Sequence, residues 1–135
     1  MVSSLETSLP FYRELLEPIG WSGHREVTGE RGEPIHYLSV EGTGVAALGL
    51  REKRSDANPV PVDRYAVGLH HVCIGVPSRE IVNERSEWLR ERGAEIEDGP
   101  REFDYRPGYY AVFFYDPDGI KIELLHRPGA LDPAD

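Results

Sequence analysis

The pattern of apolar and polar positions near the end of the chain predicts a β-hairpin, Gly108–Arg127. Its first arm, Tyr109–Tyr115, is aromatic and β-branched, which favours a half-buried strand. The segment Asp116–Gly119 reads Asp-Pro-Asp-Gly. Its proline presets φ at the second turn position, and its glycine accepts a left-handed conformation at the last. This chemistry predicts a three-residue loop closed by a bulge.

The predicted loop also sets the register of the hairpin. It pairs Phe113 with Glu123 and Ala111 with Leu125. Since side chains alternate along a strand, Glu123 lies on the face opposite the isoleucines and leucine of its own strand. A carboxylate in mid-strand lies either on a solvated sheet face or in a cleft where it has a function.

A second alternating segment, Gly68–Val76, supplies a partner for this carboxylate. His71, Cys73 and Gly75 share one face of the predicted strand, and the last two are small enough to leave space beside it. If both strands belong to one curved sheet, His71 and Glu123 point into one concavity. Such a pair is either half of a metal site or an acid/base pair.

The rest of the chain is predicted from capping residues, helical spacing and turn residues. The predicted elements are a helix from Ser3 or Ser4 to about Glu17, strands Trp21–Thr28, Pro34–Val40 and Val45–Leu50, a linker at residues 51–67, a helix Arg79–Arg92, a short strand Ala94–Glu97, a loop Asp98–Pro107 and a loose tail at residues 128–135.

The two halves of the chain align as an internal repeat, residues 1–50 on residues 68–127. Gly44 and Gly119, each before the last strand of its half, are 75 residues apart. That offset places Leu48 at the position of Glu123. The counterpart of His71 falls before the first residue of the chain, so the first module is expected to lack its opening strand.

Composition limits the classes of partner. The 135 residues suit one globular domain, and a net charge of −9 argues against nucleic acid and anionic membrane surfaces. The sequence has no apolar run of membrane-spanning length and no signal-peptide core. The single cysteine, Cys73, excludes an intramolecular disulfide and suits a cytoplasmic location.

Four segments resemble the vicinal-oxygen-chelate superfamily, namely FYRELLEPIGW, HHVCIGV, ERGAEI and PGYYAVFFYDPDGIKIELLH. The superfamily includes glyoxalase I, bleomycin-resistance proteins, fosfomycin-resistance enzymes and extradiol dioxygenases. The resemblance implies an α+β fold of two βαβββ modules whose curved mixed sheets surround a cavity. It also implies that His71 and Glu123 match two metal-ligand positions and that Glu123 can move a proton as the catalytic residue.

Further residues are candidates for the same cavity. The predicted substrate-binding residues are His36, Leu48, Tyr109, Phe113 and Lys121. His36 is also an alternative third metal ligand, while His70 and His126 are interpreted as structural. In the predicted loop, Arg101, Tyr105 and Arg106 either clamp an anionic substrate or remain solvated.

Three functions remain open from the sequence. The chain is a metal-dependent lyase, isomerase or transferase acting on a small oxygen-rich molecule, a metal-free binding protein for such a molecule, or a degenerate module that acts through assembly. The metal would be Zn, Ni, Mn or Fe, at a site that this chain alone leaves incomplete. Extradiol dioxygenase activity is disfavoured, because Phe113 stands where those enzymes carry tyrosine. A homodimer is expected, because a missing first strand leaves an unpaired sheet edge.

Overall fold

A computed structural model describes residues 1–42, 47–57 and 60–129, and it confirms the predicted α+β fold. Parts of the predicted third strand and of the tail, residues 45–46 and 130–135, lie outside the described residues. The described helices and strands are α1 (Leu5–Leu16), a 3₁₀ turn (Glu17–Ile19), β1 (Gly23–Thr28), β2 (Pro34–Ser39), β3 (Ala47–Arg51), β4 (Val72–Gly75), α2 (Arg79–Glu91), β5 (Ile96–Glu102), β6 (Tyr110–Tyr115) and β7 (Lys121–His126).

The chain divides into two compact units, Met1–Val60 and Pro61–Asp135, here called unit 1 and unit 2. Unit 1 contains α1 and an antiparallel sheet of order β1-β2-β3. Unit 2 contains α2 and a sheet of order β4-β7-β6-β5, in which β4 runs parallel to β7 and the other pairs are antiparallel. Neither α1 nor α2, the α-helices of the described residues, is long and apolar enough to cross a membrane.

The hairpin β6–β7 has the predicted register. Phe113 lies opposite Glu123, and Ala111 lies opposite Leu125. The turn is held by the buried side chain of Asp116, whose Oδ1 accepts the amides of Asp118 and Ile120, each at 2.8 Å. These bonds hold the turn in one conformation. Because the turn sets the register of the hairpin, it also determines which side chains of β7 face the cavity.

The two faces of the unit 2 sheet differ in what they contact. Helix α2 packs against β5, β6 and β7. The face that α2 covers carries four apolar side chains that are fully or almost fully buried, namely Val112, Phe114, Ile122 and Leu124. The opposite face carries Phe113 and Glu123. Because α2 covers the first face, the second is left for a cavity.

Strand β5 is longer than the sequence predicted, since Ile96–Glu102 replaces a strand ending at Glu97. A proline within the strand, Pro100, is tolerated because β5 is at the sheet edge and needs no amide donor there. Register shifts occur on both sides of Asp98. A Cβ on Gly99 would lie 2.5 Å from the carbonyl oxygen of Ala111, so this position requires glycine. These irregularities interrupt the alternation of side chains from which the strand would have been predicted.

The two units repeat one backbone pattern with an offset of 74 residues. The amide of Val2 donates to the carbonyl of Arg51, and the amide of Val76 donates to that of Leu125, both at 2.8 Å. The serines that cap α1 and α2 have the same offset. The offset of 75 inferred from glycines is therefore one residue too long over the last strand of each unit.

We expect the Asp116→Ala variant to be destabilised by about 1–3 kcal/mol, because two turn amides lose a buried acceptor. Asp116→Asn is the matched control, since its side-chain oxygen can accept both bonds and the loss should be smaller. Urea unfolding measures both. Equal unfolding free energies for wild type and Asp116→Ala would contradict the role assigned to this carboxylate.

Candidate functional site

Glu123 is the centre of the candidate site in unit 2. It is 2% exposed and lies in the middle of β7. Its Oε1 accepts a hydrogen bond from the Tyr109 hydroxyl, and its Oε2 lies 3.1 Å from Nε2 of His71. An unsatisfied carboxylate at such burial would be costly, so these contacts are what make Glu123 tolerable inside the sheet.

His71 lies immediately before β4, because the strand begins at Val72 and not at Gly68 as predicted. Since a carboxylate only accepts, Nε2 of His71 is the donor to Glu123. The Nδ1 of His71 lies 2.7 Å from Nδ1 of His70. Burial, followed by the nearby charges of His71, Lys121 and Arg64, lowers the pKa of His70. His70 therefore contacts His71 and lines the cavity, whereas the sequence analysis interpreted it as a structural residue.

The negative charge of Glu123 acts on two neighbouring groups. Burial first, and then the charge and hydrogen bonding of Glu123, raises the pKa of the Cys73 thiol well above its usual range. Burial also raises the pKa of Tyr109, followed by its hydrogen bond to Glu123 and then by the charge of that carboxylate. Both groups thus stay protonated near neutral pH, and Tyr109 remains a hydrogen-bond donor to the carboxylate.

A cavity of about 310 Å³ opens above Glu123 within unit 2. Aromatic rings form much of its wall, where Phe103 packs edge-to-face on Phe113 at 5.2 Å and stacks on Tyr105 at 5.6 Å between ring centroids. Phe103 is 5% exposed, whereas Tyr105 is 66% exposed and lies at the rim. The residues that line the cavity are His70, His71, Glu97, Asp98, Phe103, Tyr105, Tyr109, Phe113, Lys121 and Glu123.

Lys121 lines the same cavity and is held by Glu97. Its ammonium group lies 2.5 Å from Oε2 of Glu97 and 4.8 Å from the ring centroid of Phe113. Arg64 and Tyr115 each contact the other oxygen of Glu97 at 2.7 Å. Burial raises the pKa of Glu97, but the bonds from these three groups outweigh it and lower the pKa to about 2. The cluster therefore holds the Lys121 ammonium group in place at the cavity wall.

Arg101, one of the polar residues of the predicted loop, already has an ion-pair partner. Arg101, on β5, forms two bonds to the carboxylate of Asp98 at 2.9 and 2.8 Å. Its guanidinium lies 3.8 Å from the ring centroid of Phe103. It therefore braces the aromatic wall, and of the three residues considered as a clamp only Tyr105 lines the cavity.

Leu48 lies on β3 in unit 1. With the observed offset of 74 residues, the counterpart of Glu123 is Gly49, and Leu48 corresponds to Ile122. Ile122 belongs to the helix-covered face of its sheet. The role of Leu48 in substrate binding remains a prediction from the sequence that this equivalence does not support.

His36 lies on β2 in unit 1 and is 9% exposed. Its Nδ1 is 2.9 Å from Nε2 of His24, and its Nε2 is 3.8 Å from a carboxylate oxygen of Glu26. These contacts explain why a histidine is tolerated at this burial. The roles of His36 as a substrate contact or third metal ligand remain predictions.

The superfamily resemblance implies a divalent metal, which requires protein ligands of suitable type, spacing and number. The 3.1 Å between Nε2 of His71 and Oε2 of Glu123 suits two ligands that each lie about 2.0–2.2 Å from one ion. Within either unit, the described residues contain no group of three or more His, Cys, Asp and Glu side chains placed to hold a metal. Catalytic zinc sites normally use three protein ligands, so His71 and Glu123 alone would be one ligand short.

Three wall residues, Glu97, Asp98 and Phe103, were missed by the sequence analysis. All three belong to β5 or to the residue that follows it, a region predicted largely as loop. The alternation of Glu97 with the apolar Ile96 was the available signal for Glu97. No local pattern marked Phe103, because the register shifts around Asp98 break the alternation before it.

Comparison with known proteins places the chain among relatives of this fold. The family model described as Glyoxalase/Bleomycin resistance protein/Dioxygenase superfamily matches residues 1–124. Metallothiol transferase FosB of Staphylococcus epidermidis is 27% identical over 124 residues, which cover 91% of this chain and 74% of FosB. A candidate glyoxalase from Bacillus halodurans is 29% identical, with a TM-score of 0.72 and coverage of 93% of this chain and 90% of that one. The fosfomycin resistance protein FosX of Listeria monocytogenes shares the fold at 18% identity, with a TM-score of 0.62 and coverage of 93% and 86%.

Cys73 reports on the charge of Glu123, because it is the only cysteine of the chain. In buffer containing EDTA, we expect the rate of Cys73 alkylation by iodoacetamide to keep rising above pH 9, since its thiol pKa is raised. Glu123→Gln removes the negative charge and should shift the rate profile to lower pH by about one unit. Glu97→Gln, a change at another carboxylate of the cavity, is the control and should leave the profile unchanged. A profile that is the same in wild type and Glu123→Gln would show that burial alone raises the pKa.

Proposed function

Because the chain belongs to the glyoxalase/bleomycin resistance protein/dioxygenase superfamily, we propose that it binds a small oxygen-bearing molecule in the unit 2 cavity. The observation that carries this proposal is the buried carboxylate of Glu123 at the floor of that cavity. Natural proteins rarely bury a carboxylate without a cationic partner unless it has a function.

The residues around the cavity would have different roles in binding. The rings of Phe103, Phe113 and Tyr109 would contact the carbon skeleton and exclude water. Glu123 would accept a hydrogen bond from a hydroxyl group of the ligand, or take its proton. His71 and Tyr109 would hold the carboxylate in position, as they do in the hydrogen bonds to its two oxygens.

A metal-dependent lyase, isomerase or transferase is the second candidate function. It is favoured by the close approach of His71 and Glu123 and by the similarity to a metallothiol transferase. A divalent ion, when bound, would act as a Lewis acid on substrate oxygens. His71 and Glu123 would be two of its ligands, and a second copy of the chain in a homodimer would be a possible source of the third.

The first test is a titration of ¹⁵N-labelled protein with catechol in buffer containing EDTA. We expect the amide signals of Cys73, Phe113 and Glu123 to shift until they saturate. The dissociation constant should be about 1 mM, because so small a ligand makes few contacts. Glu123→Ala should weaken binding at least about tenfold, a loss of about 1.4 kcal/mol. Asp118→Ala, in the turn of the same hairpin, is the control. Shifts that do not saturate, or that leave the cavity residues unaffected, would count against the proposal.

The second test separates the two candidate functions by calorimetric titration with Zn²⁺, Ni²⁺ and Mn²⁺. We expect weak binding or none, because two ligands leave an ion held mostly by water. His71→Ala and Glu123→Ala serve as matched variants. Submicromolar, stoichiometric binding that either substitution abolishes would establish a complete metal site and favour the enzyme. Tight binding that neither substitution affects would place the metal elsewhere.

A further inference from the structure

The two charged residues of β7 that face the cavity differ in how their charges are balanced. At one end, the Glu97 carboxylate is shared by two cations, Lys121 at 2.5 Å and Arg64 at 2.7 Å. Asp98, the other acidic residue that lines this end, forms an ion pair with Arg101 through two bonds. Among the groups in direct contact here, three cations face two carboxylates, which leaves one positive charge in excess.

The Glu123 end has the opposite excess. The groups that contact its carboxylate are the hydroxyl of Tyr109, the imidazole of His71 and the thiol of Cys73. None of these partners is a lysine or an arginine, so none supplies a permanent positive charge. The two ends of the cavity thus attract ligand groups of different kinds.

The backbone sets the distance between the two ends. Lys121 and Glu123 are two residues apart on β7 and therefore face the same side of the sheet, about 7 Å apart at their Cα atoms. Phe113 lies between them, since it is paired with Glu123 and its ring lies under the Lys121 ammonium. Phe103 packs on the same ring. The space beside the two charged groups is thus bounded by the flat apolar surfaces of these rings.

We propose that the cavity selects a flat, ring-containing acid, with its anionic group at Lys121 and a hydroxyl group at the opposite end donating to Glu123. This inference rests on the proposed binding function and names its ligand class. Lys121 would act as the specificity-determining residue, because a neutral ligand gains nothing from the excess positive charge. Glu97 and Arg64 would act as positioning residues, since they hold the Lys121 ammonium at the wall.

Three probes of one ring size test the proposal. 4-Hydroxybenzoate has both groups, 4-hydroxybenzamide replaces the anion by a neutral group of similar shape, and benzoate lacks the hydroxyl. Each is titrated into ¹⁵N-labelled protein at low ionic strength, where charge contacts are least screened. We expect 4-hydroxybenzoate to bind about tenfold more tightly than either of the others, as one charge-assisted contact would provide.

Two lysine variants identify the residue responsible. Lys121→Met should abolish the preference for the acid over the amide, while Glu97 keeps Arg64 and Tyr115 as partners. Lys53→Met, the same change at a half-buried lysine of unit 1, should leave the preference unchanged. An amide that binds as tightly as the acid, or a preference that survives Lys121→Met, would overturn the assignment while the binding function stands. Failure of all three probes to bind would overturn the binding function itself.

Discussion

The buried carboxylate of Glu123 is the constraint on which the site of this protein depends. A carboxylate that is 2% exposed must be satisfied by hydrogen bonds, because its hydration is lost and the surrounding dielectric is low. His71 and Tyr109 meet this requirement from the residues that immediately precede β4 and β6. These hydrogen bonds link both segments to β7 and so stabilise the floor of the cavity.

The hairpin turn determines where that carboxylate lies, because it sets the register of β7. Asp116 closes the turn through two amides, which specifies the register of β6 on β7. A slip of one residue would move Glu123 to the helix-covered face and Ile122 into the cavity. Stability of the turn and identity of the site are therefore linked in this protein, although the turn residues themselves do not line the cavity.

Membership of the superfamily establishes the fold more firmly than it establishes a reaction. The fold hosts several activities, and these depend on the residues placed in the cavity. In this chain the described cavity combines two metal-ligand types with an aromatic wall and a lysine. Such a lining suits recognition of a small molecule through shape and charge. The proposed ligand class therefore rests on the charge balance around Lys121 and Glu123 more than on membership of the family.

The sequence by itself determined the hairpin, its register and the facing of Phe113, Lys121 and Glu123, because turn chemistry and strand alternation act over a few residues. Only the tertiary structure decided which groups complete the site. The bulged path of β5 brings Glu97 to the cavity, and the contact of His70 with His71 depends on a strand that begins later than alternation suggested. The offset of the internal repeat was likewise settled by backbone hydrogen bonds. Glycines align loops to within a residue, but one residue is enough to reverse the facing of a strand.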